Sequence, residues 1–517
     1  MKPGARLALL AALTVPLAAA QAQTSATPNI TELLRRLDAQ DQRIKALEHK
    51  LEEQQLQEQQ QAQASAAAPA APAAPAPAGA APGGGASART GEGAVADSTP
   101  HAPATSNTAT PATARRAGSH QLAVRSSDGS NVIRLRGNLQ VDGRFYSDEV
   151  TAQTRDTFLL RKVRPYVEGT LDDIYDFRLM PDFGGGKAVV TDAYVAGRFK
   201  PWFTVQAGKF KAPVGLERLQ PDHLNRFMEL GLPSDLVPNR DLGIQLGGNL
   251  AGGALSYAIG YFDGVPDGSS TDTNSTPDAD TDGRRDVDAR LFSQPFRASG
   301  NPYLRGLGLG VAGTYVNATG NATNTLLASY KTAGAQNFFS YRTGTSATYA
   351  DGRRMRISPQ FFYFGGSLGV LGEYVRSEQD VSRQTSASLL RSGQIDNSAW
   401  QVLVSYFLTG EQASYNSVTP KSTFRPGGSG WGAWEIAARF EELKIDDAAF
   451  VGGAASFADP DTSPRKATAF GVGLNWYLSE YVKLVFNYEH TMFDGGAPGG
   501  ADRPSENALL TRFALAF

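Results

Sequence analysis

Six arginines fall where a two-residue alternation aims them to one side of their segments: Arg134, Arg136, Arg144, Arg178, Arg354 and Arg356. In Ile133–Phe145, the residues Ile133, Leu135, Leu139, Val141 and Phe145 share one face, and Arg134, Arg136, Asn138, Gln140, Asp142 and Arg144 share the other. Period two is the signature of a β-strand with unlike faces. A guanidinium is a planar fork that holds oxyanion oxygens two at a time. A stripe of such groups along a water-filled wall suits the passage of an anion between weak sites. A second basic set, Lys209, Lys211, Arg218, His223, Arg226 and Arg240, lies in or beside the stretch Lys211–Asp241, which does not alternate. Glu217, Asp222, Glu229 and Asp235 are interleaved with it. Taken singly, an inward arginine pairs with a carboxylate as readily as it meets an anion, and only unpaired charge selects ions.

The elements that must position these groups are strands. Tyr175, Phe177 and Leu179 oppose Asp176, Arg178 and Asp182, while Met355, Ile357 and Phe361 oppose Arg354, Arg356, Ser358 and Gln360. Trp400, Val402, Val404, Tyr406 and Leu408 share a face, as do Val482, Leu484, Phe486 and Tyr488. Gly, Asp, Asn and Pro fill the turns between such runs. About sixteen strands are expected, although glycine-rich pieces such as Gly243–Leu250 alternate weakly. The pattern predicts an all-β fold, a transmembrane antiparallel barrel with apolar residues outward. An arginine facing lipid at the midplane would cost about 2–4 kcal/mol, so the arginine faces are assigned to the lumen. The chain closes on Leu509, Phe513, Leu515 and Phe517 along one face with Arg512 on the other, as a final barrel strand would.

Composition divides the chain. Lys2 and Arg6 precede an apolar run from Leu7 to Ala20, followed by Ala20-Gln21-Ala22, which reads as a signal peptide over 1–22 cleaved near Ala22. Residues 23–61 carry a heptad segment, with Ile30, Leu37, Ile44 and Leu51 at one seam position and Leu33, Gln40, Leu47 and Gln54 at the other. That seam predicts a short self-associating coiled-coil helix. Residues 62–120 are an Ala/Pro/Gly-rich linker expected to be disordered, and 121–517 hold the barrel. The 517 residues include no cysteine and carry a net charge of −2, so a disulfide framework and a thiolate site are excluded. No downstream apolar run reaches about 18 residues, so no helical span is expected.

An ordered series of motifs along the barrel segment resembles the phosphate-selective porin O/P family. It includes Leu160-Arg161-Lys162-Val163-Arg164-Pro165, Asp176-Phe177-Arg178, Pro181-Asp182-Phe183-Gly184 and Asp192-Ala193-Tyr194. It continues with Gly208-Lys209-Phe210-Lys211, Gly215-Leu216-Glu217, Pro238-Asn239-Arg240-Asp241 and Gly264-Val265. Leu408-Thr409-Gly410-Glu411, Gly430-Trp431-Gly432-Ala433-Trp434-Glu435, Leu474-Asn475-Trp476-Tyr477 and Thr511-Arg512-Phe513 complete it. The resemblance implies a sixteen-stranded, usually trimeric, anion-conducting outer-membrane porin, with Lys211–Asp241 as a loop folded into the lumen. Members vary in their preference for phosphate or pyrophosphate. Phosphate-specific members carry a lysine shortly after Gly-Leu-Glu, where this chain has His223.

The sequence therefore points to an exported outer-membrane porin for phosphate-like anions. Its expected partners are small anions, outer-membrane lipid, two further copies and the barrel-assembly machinery through Phe517. An enzyme is disfavoured: the five histidines, His49, His101, His120, His223 and His490, accompany no Gly-x-Ser-x-Gly elbow and no His-Glu-x-x-His pair. No cofactor or metal is expected. Asp278, Asp280 and Asp282 before Gly283 resemble a calcium loop, but Ala289 stands at its twelfth position. Acidic residues there, with Asp263, Asp267 and Asp272, would repel an anion near the mouth. A general or sugar pore and an envelope tether anchored by the barrel are the alternatives.

Overall fold

The computed structural model describes residues 122–147, 156–271, 282–386 and 388–517. The signal peptide, the coiled coil, the linker and Asp272, Asp278 and Asp280 lie outside the described residues. Among the described residues, sixteen strands build the barrel. The first five are β1 (Val132–Tyr146), β2 (Thr157–Leu171), β3 (Tyr175–Asp182), β4 (Val189–Lys200) and β5 (Phe203–Lys211). Next come β6 (Arg240–Leu250), β7 (Leu255–Phe262), β8 (Asp286–Ser293), β9 (Leu307–Thr319), β10 (Thr348–Gly365) and β11 (Leu368–Ser386). The last five are β12 (Leu389–Phe407), β13 (Ala433–Lys444), β14 (Pro464–Tyr477), β15 (Val482–Ala497) and β16 (Glu506–Ala516).

Each strand pairs antiparallel with its chain neighbours, and β16 pairs with β1 to close the barrel. Closure is forced by the solvent: hydrocarbon offers no hydrogen bonds, so an open edge in lipid would leave a row of unsatisfied amides. Phe517 completes the seam, its amide donating to the Gly137 carbonyl at 3.1 Å while the Gly137 amide donates to the Phe517 carbonyl at 3.2 Å. A three-residue strand, Ala123–Arg125, continues the seam beyond it by pairing with the start of β1.

Side-chain direction follows the alternation read from sequence. Ile133, Leu135, Ile357, Val402 and Phe513 are exposed on the outer wall, whereas Asp142, Arg356, Gln401 and Arg512 are buried on the inner one. The expected weak strand at Gly243–Leu250 forms as part of β6. One end of the barrel carries tight connections such as residues 172–174, 201–202 and 366–367. The other carries long ones, the arrangement in which the long loops face outward from the cell.

Several connections enter the lumen, three of which position the 212–239 segment. Residues 212–239 follow β5, and their Val214, Leu232, Leu236 and Val237 pack on Val375, Ile395, Ala399 and Leu443 of β11, β12 and β13. A small hairpin, Tyr330–Lys331 paired with Asn337–Phe339, descends from the β9–β10 connection onto the same cluster. From the tight-turn end, the long connection after β12 brings Ala413 and Val418 against Leu224, and Tyr415 against Phe227. The lumen is thus partly filled by an apolar mass that the outer wall's polarity pattern alone does not require.

Asp182 ends β3 by accepting from the Val163 and Gly184 amides at 3.1 and 2.9 Å, which presses Gly184 onto β2. A Cβ there would lie 2.6 Å from the Arg161 carbonyl oxygen and 2.9 Å from Lys162 Cα. Gly184→Val is expected to lower barrel stability by about 1–3 kcal/mol. Urea unfolding in detergent, followed by tryptophan fluorescence, checks this; an unchanged midpoint would show that the connection yields.

The constriction and its candidate anion pathway

The constriction begins with a fault in the β1–β2 ladder. Gln140 pairs with Lys162 and Val141 with Leu160, so Arg161 is an extra residue, a β-bulge. Strict alternation would allow only one of Arg161 and Lys162 to face the lumen. The bulge turns both inward, where Arg161 bonds Glu229 at 3.0 and 3.1 Å and Lys162 bonds Asp222 at 2.6 Å. Two residues on, Arg164 joins them, held by Asp182 at 2.6 Å and by Asp222 at 2.5 Å. The motif Leu160–Pro165 and the motif Pro181–Gly184 are thus the two halves of one structure.

The 212–239 loop supplies the carboxylates. Asp222 also accepts from Lys211 Nζ at 3.2 Å, and Lys211 ties down the loop's root by donating to the Arg218 and Gln220 carbonyls at 2.7 and 2.9 Å. Glu229 pairs with Arg144 as well as Arg161, and Arg512 approaches it at 3.9 Å. Arg512 and Arg144 share Asp142, at 2.6 and 3.2 Å. Lys483 lines a small cavity with Gln140, Asp222, His223, Asn225 and Arg512, and donates to the Asn225 carbonyl at 2.6 Å. Six cations (Arg144, Arg161, Lys162, Arg164, Lys211, Arg512) therefore meet four carboxylates (Asp142, Asp182, Asp222, Glu229), two more positive than negative groups, with Lys483 beside them.

Charge in the loop follows from these contacts. Burial alone would raise the Glu229 carboxyl, but Arg161, Arg144 and Arg512 outweigh it and hold it well below the usual carboxylate range. Burial would likewise raise Asp222, and Lys162, Lys211 and Arg164 keep it well below its usual value. Burial pulls His223 down to about 4, so it is a neutral ring at pH 7 rather than a fixed charge. Arg218 is lowered by burial to about 10 and stays cationic, its guanidinium donating to the Ser234 carbonyl.

Opposite signs occupy the loop's other side. Arg226 bonds Glu435 at 3.2 Å, and Arg439 faces Glu217, Glu441 and Glu489 at 3.6, 3.4 and 3.1 Å. Glu217, Glu435, Glu441 and Glu489 are all 2% exposed or less, sealed between loop and wall. The loop thus acts as a partition, with surplus cations toward β1, β2 and β16 and surplus carboxylates shut behind it.

The residues marked in sequence disperse over this frame. Arg136 and Arg178 flank Glu168 at 3.1 and 2.7 Å and keep about a quarter of their side chains exposed (25% and 27%), and the half-buried Arg134 stands opposite Glu168 in the ladder. Arg144, Lys211 and Arg218 belong to the constriction, with Lys209 buried at its root. Arg240 is buried against Asp192 at 2.6 Å, Arg226 against Glu435, and Arg356 against Asp267 and Asp286 at 2.7 and 3.3 Å. Arg354 is buried with no ion pair among the described residues. Arg161, Lys162, Arg164, Lys483 and Arg512 were not among the pathway residues marked in sequence. The doubled basic pair Arg161-Lys162 before a Pro-containing strand segment was the one signal that could have exposed the bulge.

A closed sixteen-stranded antiparallel barrel with a loop folded across its lumen defines a porin of the Gram-negative outer membrane. A profile of the family described as phosphate-selective porin O and P matches residues 133–517, and the chain belongs to that family. Porin O of Pseudomonas aeruginosa is 28% identical over 148 residues, covering 28% of this chain and about a third (33%) of that relative. Similar solved structures include the outer-membrane channel DcaP of Acinetobacter baumannii, at 8% identity and TM-score 0.47, covering 76% of this chain and 99% of that one. Another is an anion-selective porin from Comamonas acidovorans, at 14% identity and TM-score 0.43, covering 75% and 100%.

Glu229 is the one carboxylate shared by Arg144, Arg161 and Arg512, so Glu229→Gln releases positive charge where the loop meets the wall. The chloride-to-potassium permeability ratio is expected to rise about two- to fivefold at low salt, because unscreened lumen charge sets selectivity. Reversal potentials in planar bilayers measure it; an unchanged ratio would place the ion path away from Glu229.

Asp235 accepts from the Lys331 amide at 2.8 Å, joining the loop to the descending hairpin, and burial raises its carboxyl to about 7. A raised carboxyl stabilises the docked loop at low pH, fully below the ordinary 3.8, and that contribution is lost as pH rises through about 7. Open-channel current noise should therefore grow between about pH 5 and pH 8, and Asp235→Asn should flatten that dependence. A variant that keeps the wild-type pH profile would assign the noise to another group.

Proposed function

We propose that this porin gives passive diffusion to small oxyanions, phosphate, pyrophosphate and related species, across the outer membrane. The observation that carries the reading is the cluster of six cations sharing four carboxylates where the 212–239 loop meets β1, β2 and β16. The cations left over from that pairing, in a confined, low-dielectric passage, raise the local anion concentration and repel cations. Arg136 and Arg178 on the accessible wall form the approach, and Lys162 marks the narrow point. Arginine and lysine ligands favour an anion with several oxygens, because each oxygen accepts from a separate donor. The neutral His223 stands where phosphate-specific relatives carry a lysine, which favours broad oxyanion passage over tight phosphate capture.

The working unit in this reading is a homotrimer, exported with a signal peptide cleaved near Ala22 and inserted by the barrel-assembly machinery through the strand ending in Phe517. A self-associating coiled coil at 23–61, followed by the 62–120 linker, belongs to the same reading. No reaction is assigned to the protein.

The test is a planar-bilayer measurement of full-length protein across a potassium chloride gradient, followed by added phosphate. Chloride-leaning reversal potentials and current block by phosphate are expected. Arg161→Ala with Lys162→Ala should reduce the permeability ratio about fivefold or more, since both bulge cations leave the narrow point. Non-selective or cation-selective conductance would replace the anion reading with a general diffusion pore.

A further inference from the structure

One inward row crosses the three strands of the closing seam with a small residue at its middle. Gln140 of β1 pairs with Ala514 of β16, and Ala514 pairs in turn with Lys483 of β15. Neighbouring strands lie about 4.8 Å apart, so the two long side chains start about 10 Å from each other with only a methyl group between them. The hollow over Ala514 is also lined by Asp222, His223 and Asn225 of the 212–239 loop and by Arg512. It forms a cavity of about 10 Å³. That is room for one guest of about the size of a water molecule.

The polar groups around the cavity are buried and under-used. Gln140 is 1% exposed, and neither polar atom of its amide has a hydrogen-bond partner among the described residues. The side-chain oxygen of Asn225 is unpartnered in the same sense. Lys483 is 6% exposed. Its ammonium donates to the Asn225 carbonyl at 2.6 Å and lies over the Tyr477 ring at 4.8 Å, with no ion pair among the described residues.

The charges on the cavity wall favour a negative guest. Asp222 is the carboxylate there, and Lys162, Arg164 and Lys211 already hold it. Arg512 is spent: two of its nitrogens bond Asp142 at 2.6 and 2.8 Å, and the third donates to the Met228 carbonyl at 2.8 Å. His223 is a neutral ring at pH 7. Glu435, which the Tyr477 hydroxyl reaches at 2.8 Å, is paired with Arg226 at 3.2 Å. Lys483 is therefore the cation left without a counter-charge, and a buried ammonium with one carbonyl partner is costly. A half-turn of either amide aims its NH2 group into the cavity, so Gln140 and Asn225 can complete a shell of donors.

We propose that this cavity binds one halide ion, held by Lys483 and by the Gln140 and Asn225 amides. The ion would join the loop to β1 and β15. A monatomic anion matches both the room and the unmatched charge, whereas phosphate is too large and water brings no charge. The ion is held rather than conducted, so the proposal goes beyond the permeation reading and does not depend on it.

Crystals of the full-length protein grown in sodium bromide, with diffraction measured at the bromine absorption edge, locate the ion directly. An anomalous peak in contact with Lys483 Nζ is expected. It should be absent in Lys483→Met, and in Ala514→Leu, which fills the hollow without changing any charge. Urea unfolding in detergent reads the same binding in solution, comparing chloride with gluconate, which is too large to enter, at equal ionic strength. The wild-type midpoint should be higher in chloride by about 0.2–0.5 M urea. Lys483→Met should lose that difference. Gln140→Glu, which builds a carboxylate into the site, should show in gluconate the midpoint that wild type shows in chloride. Heat-modifiable migration on gels confirms that each variant is folded. The absence of an anomalous peak at the cavity overturns the proposal. So does a peak accompanied by equal midpoints in the two salts, which marks an adventitious ion only. Neither readout uses conductance, so failure of the permeation reading leaves both results in force.

Discussion

A peptide group in hydrocarbon has nothing to bond but another peptide group, and the rest of this structure follows from that constraint. It demands closure, which the β16–β1 pairing and the Phe517–Gly137 bonds provide. Closure turns period-two alternation into an inside and an outside, sending Ile133 and Leu135 to lipid and Arg134 and Arg136 to water. An inward charge then faces a confined space where water is scarce and fields are poorly screened. Most inward arginines answer that by taking a carboxylate. The channel's selectivity is what remains when the pairing is incomplete.

Incomplete pairing is arranged rather than scattered. The 212–239 loop carries Asp222 and Glu229 toward the bulge side and Glu217 toward the far wall. Its apolar residues, Val214, Leu232 and Leu236, fasten it to β11, β12 and β13. Hydrophobic burial thus fixes where the electrostatic boundary lies. Behind the loop, Arg439 faces three glutamates, and burial between loop and wall seals those carboxylates from water. The connection after β12 braces the loop from the opposite end, with the Tyr415 hydroxyl donating to the Leu216 carbonyl at 2.5 Å.

Much of the barrel was legible because alternation is local. A strand between lipid and water must read apolar-polar over its length, so Ile133–Phe145 and Trp400–Leu408 identify themselves without any partner. The number of strands and the closing role of Leu509–Phe517 followed from the same pattern. The candidate site was legible only in outline. Arg136, Arg178 and Lys211 were found because they sit on clean alternation or at its end. Arg161 and Lys162 were passed over because a bulge breaks the period by one residue, and a bulge is decided by the partner strand's register. Arg512 was seen as inward but not as part of the constriction, since Asp142 and Glu229 reach it from 370 and 283 residues away in the chain.

The sequence by itself determined the class of surface each strand offers, the barrel those surfaces must form, the family its motifs define and the stretch that leaves the wall. These depend on contrasts between neighbouring residues, which any solvent boundary reads directly. Only the tertiary structure decided which cations converge, which carboxylates neutralise them and which are sealed away. Charge balance at a constriction is a sum over strands far apart in the chain, and no local pattern contains that sum.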